Sequence, residues 1–332
     1  MAKSPRSGTA VITGASGFIG GRVRDTLLDQ GWDVVSLTRP ASPPPRRGRA
    51  AAVDYRSVDS LSDVFAREKP ELVLHLAGAT KGVTYDDFQS ANVVPTRNLA
   101  QALLRSHDQV GRLVKVSSLT AYGPSTLDKP LIESSEPKPI EHYGKSKLEA
   151  ERVLTDEIGS RLPWTILRPA GVYGPGDVDY FELFKLATRG LNVFYGNRDA
   201  WFSAVHVDDV VSSIMAAAHS DNTIGKGYFI CDGKPLTWFD YQKLVVEATG
   251  KRALDLNLPV FTLDVAAAFG ELLTRFDGKP RVFNRQKVIM GKQRAWTCRH
   301  DAARADFGYT PQLDARAGIA HTLEWYRSSG WL

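Results

Sequence analysis

Eight residues near the amino terminus, Thr13-Gly14-Ala15-Ser16-Gly17-Phe18-Ile19-Gly20, constrain this chain more than any other segment. They follow an apolar run, Ala10–Thr13, and lead into an amphipathic one, Ile19–Gln30, so the glycines stand at a strand-to-helix turn with G-x-x-G-x-x-G spacing. Each glycine has a physical task there. Gly14 makes the turn tight, Gly17 lets backbone approach a pyrophosphate, and Gly20 lets the helix pack closely on the strand. The free N–H groups of the first helical turn then face the anion. Spacing alone also fits an ordinary turn; the position after the first strand of a βαβ series is what points to a dinucleotide.

Further apolar runs at Val34–Thr38, Leu72–Leu76, Leu113–Ser117 and Trp164–Leu167 alternate with helical patterns at Ser60–Arg67, Asp86–Ser106 and Tyr143–Ile158. Such alternation marks a parallel sheet with helical crossovers. Pro95, inside the Asp86–Ser106 pattern, predicts a kink. After Pro169 the rhythm breaks into Gly- and Pro-rich loops, with helices expected near Tyr180–Arg189, Val207–His219, Thr237–Thr249, Phe261–Phe276 and Asp314–Ser328, and a strand at Tyr228–Cys231. The expected class is α/β: a Rossmann-type doubly wound parallel sheet with a smaller, mostly helical C-terminal substrate-binding lobe. Residues 1–175 are expected to form the NAD(P)-binding domain, with Val193–Met215 returning to it, and 176–332 mainly the lobe. A chain of 332 residues has the length for both.

Composition excludes several classes. Hydrophobic residues at 43% and charged residues at 24% fit a globular chain with a core, not a disordered or fibrous one. No run free of Asp, Glu, Lys and Arg reaches the ~18 residues of a spanning helix, and no signal-type apolar core stands near the start. A cytoplasmic protein with no membrane partner is expected. Cys231 and Cys298 are too few for a disulfide framework or a metal cluster and read as ordinary buried thiols.

The formal charge of +5 is mild, and part of its basic side is local: Arg39, Arg46, Arg47 and Arg49 stand in RPASPPPRRGR without an acid. No helix-borne basic stripe or interleaved aromatic motif appears, so no nucleic-acid partner is expected. In dinucleotide folds the residue ending the second strand meets the adenosine ribose, and an acid there accepts from the 2′-hydroxyl of NAD. Here the strand ends Ser36-Leu37-Thr38-Arg39. A guanidinium suits a 2′-phosphate, which it can hold bidentately. NADP(H) is therefore preferred, with NAD(H) the alternative; Arg46 or Arg47 either adds a second contact or belongs to a solvated loop.

His142-Tyr143-Gly144-Lys145-Ser146-Lys147 puts Tyr143 and Lys147 at i and i+4, on one face of a helix. A tyrosine is a useful acid near neutrality only if its pKa falls from about 10, and the Lys147 ammonium would favour that fall. Upstream, Val116-Ser117-Ser118-Leu119-Thr120-Ala121-Tyr122-Gly123 ends a strand with hydroxyls at the carboxyl edge, where open α/β folds place ligands.

Taken in order, these motifs resemble the extended short-chain dehydrogenase/reductase family, the NAD-dependent epimerase/dehydratase-like proteins. The likeness runs from TGASGFIG through HLAG at His75–Gly78, Asn92 in SANVVPTRNL, VSSLTAYG, YGKSK and LRPAGVYGPGD at Leu167–Asp177 to VHVDDV at Val205–Val210. The resemblance implies that Ser118, ahead of Ser117, is the catalytic hydroxyl, Tyr143 the general acid/base, and Lys147 the lysine that holds the nicotinamide ribose and tunes the tyrosine. For the cofactor it implies Gly14, Ser16, Gly17, Phe18, Ile19 and Gly20 in the turn, Arg39, Asp54 after the third strand against adenine, and Ala77 with Gly78. Tyr143, Lys147, and Pro169, Gly171 and Val172 beside the nicotinamide amide complete that set. The implied reaction is hydride transfer between nicotinamide C4 and a substrate carbon, with Tyr143 exchanging a proton with the oxygen and Ser118 hydrogen-bonding it. No metal is implied; His206, beside Asp208 and Asp209, belongs to a helix start that the acids favour. Relatives of this kind often dimerise through the Asp86–Ser106 and Tyr143 helices, which implies a homodimer here.

Three departures bear on the substrate. Many sugar-nucleotide enzymes of this kind read RxFNVYGP, with an asparagine on the substrate diphosphate, where this chain has Gly171. Phe202 stands where they often carry an arginine before the VDD segment, and Arg275–Pro280 only loosely matches their late arginine motif. Phe283–Val288, Trp296, Ala302–Pro311 and Thr322–Tyr326 instead resemble the closing segment of the 3β-hydroxysteroid dehydrogenase and dihydroflavonol reductase branch. Missing charge partners disfavour a dianionic ligand, so a small, partly apolar carbonyl or secondary alcohol is expected. The alternatives are a nucleotide-sugar epimerase or dehydratase, the latter disfavoured because Leu119-Thr120 lacks the usual acidic pair, and a non-catalytic dinucleotide-binding regulator.

Overall fold

Seven parallel strands form the main sheet in a computed structural model: β1 (Thr9–Thr13), β2 (Asp33–Thr38), β3 (Arg49–Ala52), β4 (Leu72–His75), β5 (Arg112–Val116), β6 (Trp164–Pro169) and β7 (Lys226–Ile230). The structure describes residues 8–106, 110–259 and 285–332, with 261, 262, 264, 265, 267, 268, 270 and 274 between them. Strands buried on both faces need no polar alternation, which is why their sequences read as continuous apolar runs. β3, Arg49-Ala50-Ala51-Ala52, has little to bury and forms by pairing with Val35 to Thr38 of β2; β5 breaks its apolar run with the buried Arg112 and Lys115.

The spatial order is β7-β6-β5-β4-β1-β2-β3. The chain winds outward from β1 to β3, then returns and builds the other half from β4. Loops after β1 and β4 therefore part from each other, and this switch point opens a crevice at the carboxyl ends of the strands.

Both faces are covered. Ala10, Ile12, Val34, Leu74 and Val114 share one core with Val23 and Leu27 of helix Phe18–Asp29 and Val210 and Ile214 of helix Val207–Ala218. The alternate residues Val11, Val35, Val73 and Leu113 share the other with Leu61 and Phe65 of helix Val58–Glu68, Leu99 and Leu103 of Val94–Ser106, and Ala150 of His142–Arg152.

The kink expected at Pro95 takes a particular form. A short helix Tyr85–Phe88 runs into a π-helical turn, Gln89–Val93, before the helix Val94–Ser106. The wider turn accommodates a residue that lacks an N–H and crowds the carbonyl four residues earlier. The Tyr143 helix likewise ends in a π turn, Val153–Ile158.

Beyond β6, helices Phe181–Thr188, Trp238–Thr249 and Ala315–Ser328 pack about Tyr173, Phe184, Phe202, Tyr241 and Tyr326. Three small sheets connect this lobe: Gly171–Tyr173 with Ala204–His206, Leu191–Tyr195 with Leu254–Leu258, and Trp201–Phe202 between Leu236–Thr237 and Ala295–Trp296. Much of the expected helix Phe261–Phe276, and the segments Arg275–Pro280 and Phe283–Asn284, lie outside the described residues. No described helix is long and apolar enough to cross a membrane.

Candidate active site

The crevice at the switch point is shaped by the absence of side chains. Gly14 adopts φ +74°, and a Cβ there would stand 2.7 Å from the Ala77 nitrogen. A Cβ on Gly20 would fall 2.0 Å from the Gly14 carbonyl oxygen, so the first helix packs on the turn through bare backbone. Gly17 caps that helix with no side-chain hydrogen bond, and its first turn carries no acid. The dipole end and its N–H groups are left to an anion. Ser16 is exposed at the turn, Phe18 is half-buried, and Ile19 packs against the sheet core.

The loop after β4 closes the opposite wall. His75 lies between Thr13 Oγ1, 2.8 Å from Nδ1, and Thr96 Oγ1, 2.9 Å from Nε2, while the Ala77 N–H donates to Thr13 Oγ1 at 3.0 Å. Burial holds the His75 imidazole well below its usual pKa, and the Lys115 and Lys147 ammonium groups act in the same direction. Asn92, in the π turn, ties this loop to the Tyr143 helix. Its Oδ1 accepts from Ala79 N at 2.8 Å and its Nδ2 donates to Ser146 Oγ at 2.8 Å. A Cβ on Gly78 would meet Asn92 Oδ1 at 2.7 Å and lie 3.7 Å from Lys147 Nζ. Ala77 and Gly78 are thus fixed between the glycine turn and Lys147.

Ser118, Tyr143 and Lys147 come together at the ends of β5 and the following helix. Ser118 Oγ accepts from Thr120 N at 3.2 Å and from Thr120 Oγ1 at 3.0 Å. With its lone pairs so engaged, the Ser118 hydroxyl has its own proton to give, and it faces the Tyr143 hydroxyl. Ser117 is buried with its Oγ unpartnered among the described residues.

Two residues that sequence reasoning passed over put Tyr143 there. Glu141 caps the helix, its carboxylate accepting from Tyr143 N and Gly144 N at 2.6 Å each. A Cβ on Gly144 would come 2.3 Å from the Thr120 carbonyl oxygen, so only glycine lets the helix rest on the Ser118–Tyr122 turn. The available signals were an acid immediately before a helical pattern and a glycine inside one.

Lys147 stands over the Tyr143 ring with no hydrogen bond to its hydroxyl among the described residues. Its ammonium donates to Val116 O at 2.8 Å and stands 5.9 Å from the centre of the Tyr143 ring. Burial pushes the Tyr143 hydroxyl up to about 12, with only the hydrogen bond from Ser118 opposing it. Burial also brings Lys147 down to about 8, against the pull of Glu151. Burial outweighs any lowering by the Lys147 ammonium, which stands over the ring while its hydrogen bond goes to the Val116 carbonyl.

At the other end of the crevice Arg39 is exposed at the end of β2, with no acidic partner among the described residues. The rest of its basic loop is partly neutralised. Arg47 donates to Asp29 at 2.7 Å, and Arg49 pairs with Asp33 and with Glu68, the latter at 2.8 Å. Arg46, on the same loop, is exposed with no acidic partner among the described residues. Asp54, just past β3, accepts from Arg56 N at 3.0 Å and is exposed beside the β2 end.

Pro169 ends β6; the next residues leave the main sheet, with Ala170 N donating to Ile230 O at 2.9 Å and Gly171 N to Ser203 O at 3.1 Å. Val172 packs against the sheet core. In the VHVDDV segment the acids do not cap their own helix. His206 does so, its Nδ1 accepting from Asp208 N at 3.2 Å, while Asp208 holds Arg22 at 2.8 Å and Asp209 accepts from Gln312 N and Leu313 N. The fold also brings His321 to within 4.8 Å of His206 and Asp208, a neighbour invisible in sequence. Arg22 on Asp208 makes this cluster a poor place for a cation.

Comparison with known proteins agrees with this architecture. The model of the NAD dependent epimerase/dehydratase family matches residues 10–231. The chain is similar to ceramide reductase of Caulobacter vibrioides, 26% identical over 334 residues that cover 98% of this chain and 96% of the relative. It is similar to short-chain dehydrogenase/reductase family 42E member 1 of Bos taurus, 27% identical across 99% of this chain and 89% of the relative. Among solved structures, UDP-glucose 4-epimerase of Thermotoga maritima with UDP-glucose superposes with a TM-score of 0.80 at 23% identity, covering 97% of this chain and 99% of that one. MoeE5 in complex with UDP-glucose and NAD gives 0.77 at 26% identity, with coverage of 97% and 99%.

Proposed function

Because the chain belongs to the NAD dependent epimerase/dehydratase family, we propose that it is an NADP(H)-dependent oxidoreductase interconverting a carbonyl and a secondary alcohol on a small, partly apolar substrate. The observation that carries the reading is the juxtaposition of Ser118, Tyr143 and Lys147 beside a glycine-lined crevice. The residues present fit a dinucleotide: backbone cradles at Gly14, Gly17 and Gly20 for the pyrophosphate, Asp54 near adenine, Arg39 for a 2′-phosphate, Lys147 for the nicotinamide ribose, and Pro169, Gly171 and Val172 beside the amide. The nicotinamide supplies or accepts the hydride when bound.

The chain's own residues do the rest. In reduction, Tyr143 gives its proton to the substrate oxygen as charge grows there, and Ser118 donates a hydrogen bond to the same oxygen, aimed by Thr120. Glu141 and Gly144 fix the helix start that carries the phenol. Gly171 and Phe202, in place of polar phosphate partners, favour a less charged substrate, and relatives named ceramide reductase and short-chain dehydrogenase/reductase agree in direction. Residues 1–175 carry mainly cofactor contacts in this reading, 176–332 mainly substrate contacts, and a homodimer would pair the Val94–Ser106 and His142–Arg152 helices.

Tyr143→Phe should lower turnover of NADPH with any accepted ketone at least ~10²-fold while NADPH binding by fluorescence stays near wild type. Unchanged turnover would sink the proposal. A second reading, nucleotide-sugar epimerisation or dehydration with NAD, is favoured by the likeness to MoeE5 with UDP-glucose and NAD. Protein purified with tightly held NAD(H), or stabilised by a UDP-sugar, would reverse the order. Dinucleotide binding without any oxidoreduction would instead point to a regulator.

A further inference from the structure

Gly171 has an unusual neighbour. A Cβ built on it would lie 2.7 Å from the Tyr180 hydroxyl and 3.7 Å from Phe202 Cδ2. Tyr180 thus reaches back over the loop that follows β6 and fills the space a side chain at position 171 would take. Its hydroxyl has no hydrogen-bond partner among the described residues, and the residue is half-buried, so the donor is open to a ligand. Behind it, Phe202 and Trp238 stack at 4.2 Å between ring centres, and Tyr180 stacks on Trp238 at 6.0 Å. Trp238 is also half-buried.

The charge nearby has one sign at closest range. Asp177 accepts from Asp179 N at 2.9 Å and Tyr180 N at 3.0 Å, which fixes the turn carrying Tyr180, and the lone cation at Asp179, Lys81, is paired with it at 3.1 Å. A diphosphate brought to this wall would meet the carboxylates of Asp177 and Asp179.

We propose that Tyr180 is a specificity-determining residue: its hydroxyl donates a hydrogen bond to an uncharged substrate whose apolar body lies along the Tyr180 and Trp238 rings, which the buried Phe202 backs. This rests on the oxidoreductase reading above and names its substrate class, a neutral ketone or alcohol with a flat or extended hydrocarbon body and a second polar atom. Ring faces supply area at little entropic cost, and one donor at the wall's edge sets the orientation.

The test compares Tyr180→Phe, Gly171→Ala and the double variant, using a long-chain methyl ketone, an aryl ketone and a steroid ketone, with UDP-glucose as the charged probe. Ketone affinity is read both as KM and as quenching of tryptophan fluorescence in the NADP+ complex, which requires no turnover. Tyr180→Phe should raise KM and the fluorescence Kd of the preferred ketone roughly 5- to 10-fold, with kcat moving less than about twofold. Gly171→Ala should cost more in the presence of the Tyr180 hydroxyl than in the Tyr180→Phe background, where the clash is relieved. Equal effects of Gly171→Ala in both backgrounds, ketone binding indifferent to Tyr180→Phe, or UDP-glucose binding tighter than every ketone would each overturn the assignment. If Tyr143→Phe still turned over, the reaction would be wrong, and the fluorescence arm would still judge Tyr180 by itself.

Discussion

At the residue scale, the charges that matter are those the fold leaves unpaired. Arg39 and Arg46 have no acidic partner among the described residues while Arg47 and Arg49 are engaged by Asp29, Asp33 and Glu68, so the basic loop singled out by composition narrows to two guanidiniums, of which Arg39 stands at the end of β2. A hydrogen bond to a charged group is worth about 1.5–3 kcal/mol, hence Arg39→Asp should weaken NADPH roughly 10- to 100-fold by isothermal titration while NADH changes by less than about threefold. Equal losses would mean a solvated loop. Lys147 gives a pH expectation. With its ammonium brought down to about 8 by burial, the positive charge is present below that pH and is lost as pH rises through it, whereas Tyr143, pushed up to about 12, stays protonated throughout. Reduction measured as kcat/KM for NADPH should therefore fall above about pH 8; a rise across pH 7–9 would contradict the assignment. The sequence showed which side chains form the set, but not that Thr120 turns Ser118 into a donor, because that depends on the three-residue turn Leu119–Ala121.

At the element scale, the Tyr143 helix is fastened to the sheet by charge as well as by apolar packing. Glu151, on that helix, accepts two hydrogen bonds from Arg168 Nε at 3.0 and 3.1 Å and one from Nη2 at 2.9 Å, with both side chains buried. Arg168, on β6, also lies over the Tyr122 ring at 4.5 Å and the Phe229 ring at 5.6 Å. A Cβ on Gly227 would sit 2.4 Å from Arg168 Nη2, so β7 carries glycine where the guanidinium passes. Removing one partner of such a pair leaves the other charge buried. Glu151→Gln should cost about 3–5 kcal/mol in urea unfolding, and a loss under ~1 kcal/mol would show that water reaches the guanidinium. Most helices and strands were legible from periodicity. The π turn before Pro95 and the alanine strand β3 were not, since one answers a local clash and the other is stabilised by its neighbour.

At the scale of the whole molecule, cofactor binding should be visible as stability. Ligand at a hundredfold excess over Kd stabilises by about 2.7 kcal/mol, and a chain of 332 residues unfolds with roughly 0.7 kcal/mol per degree of entropy. NADPH should thus raise Tm by about 4 °C, and NADH at the same concentration by clearly less; the reverse order would favour the NAD-dependent epimerase reading. The sequence by itself determined the parallel α/β class, the glycine turn and the ordered Ser118, Tyr143 and Lys147 set, because strand burial, backbone clearance and helical spacing are local demands written into consecutive residues. Only the tertiary structure decided which arginines of the basic loop are paired, where the Lys147 ammonium hydrogen-bonds, and that Tyr180 covers Gly171. Those outcomes depend on groups far apart in the chain meeting at a few ångströms, where pairing and excluded volume override what any short segment can specify.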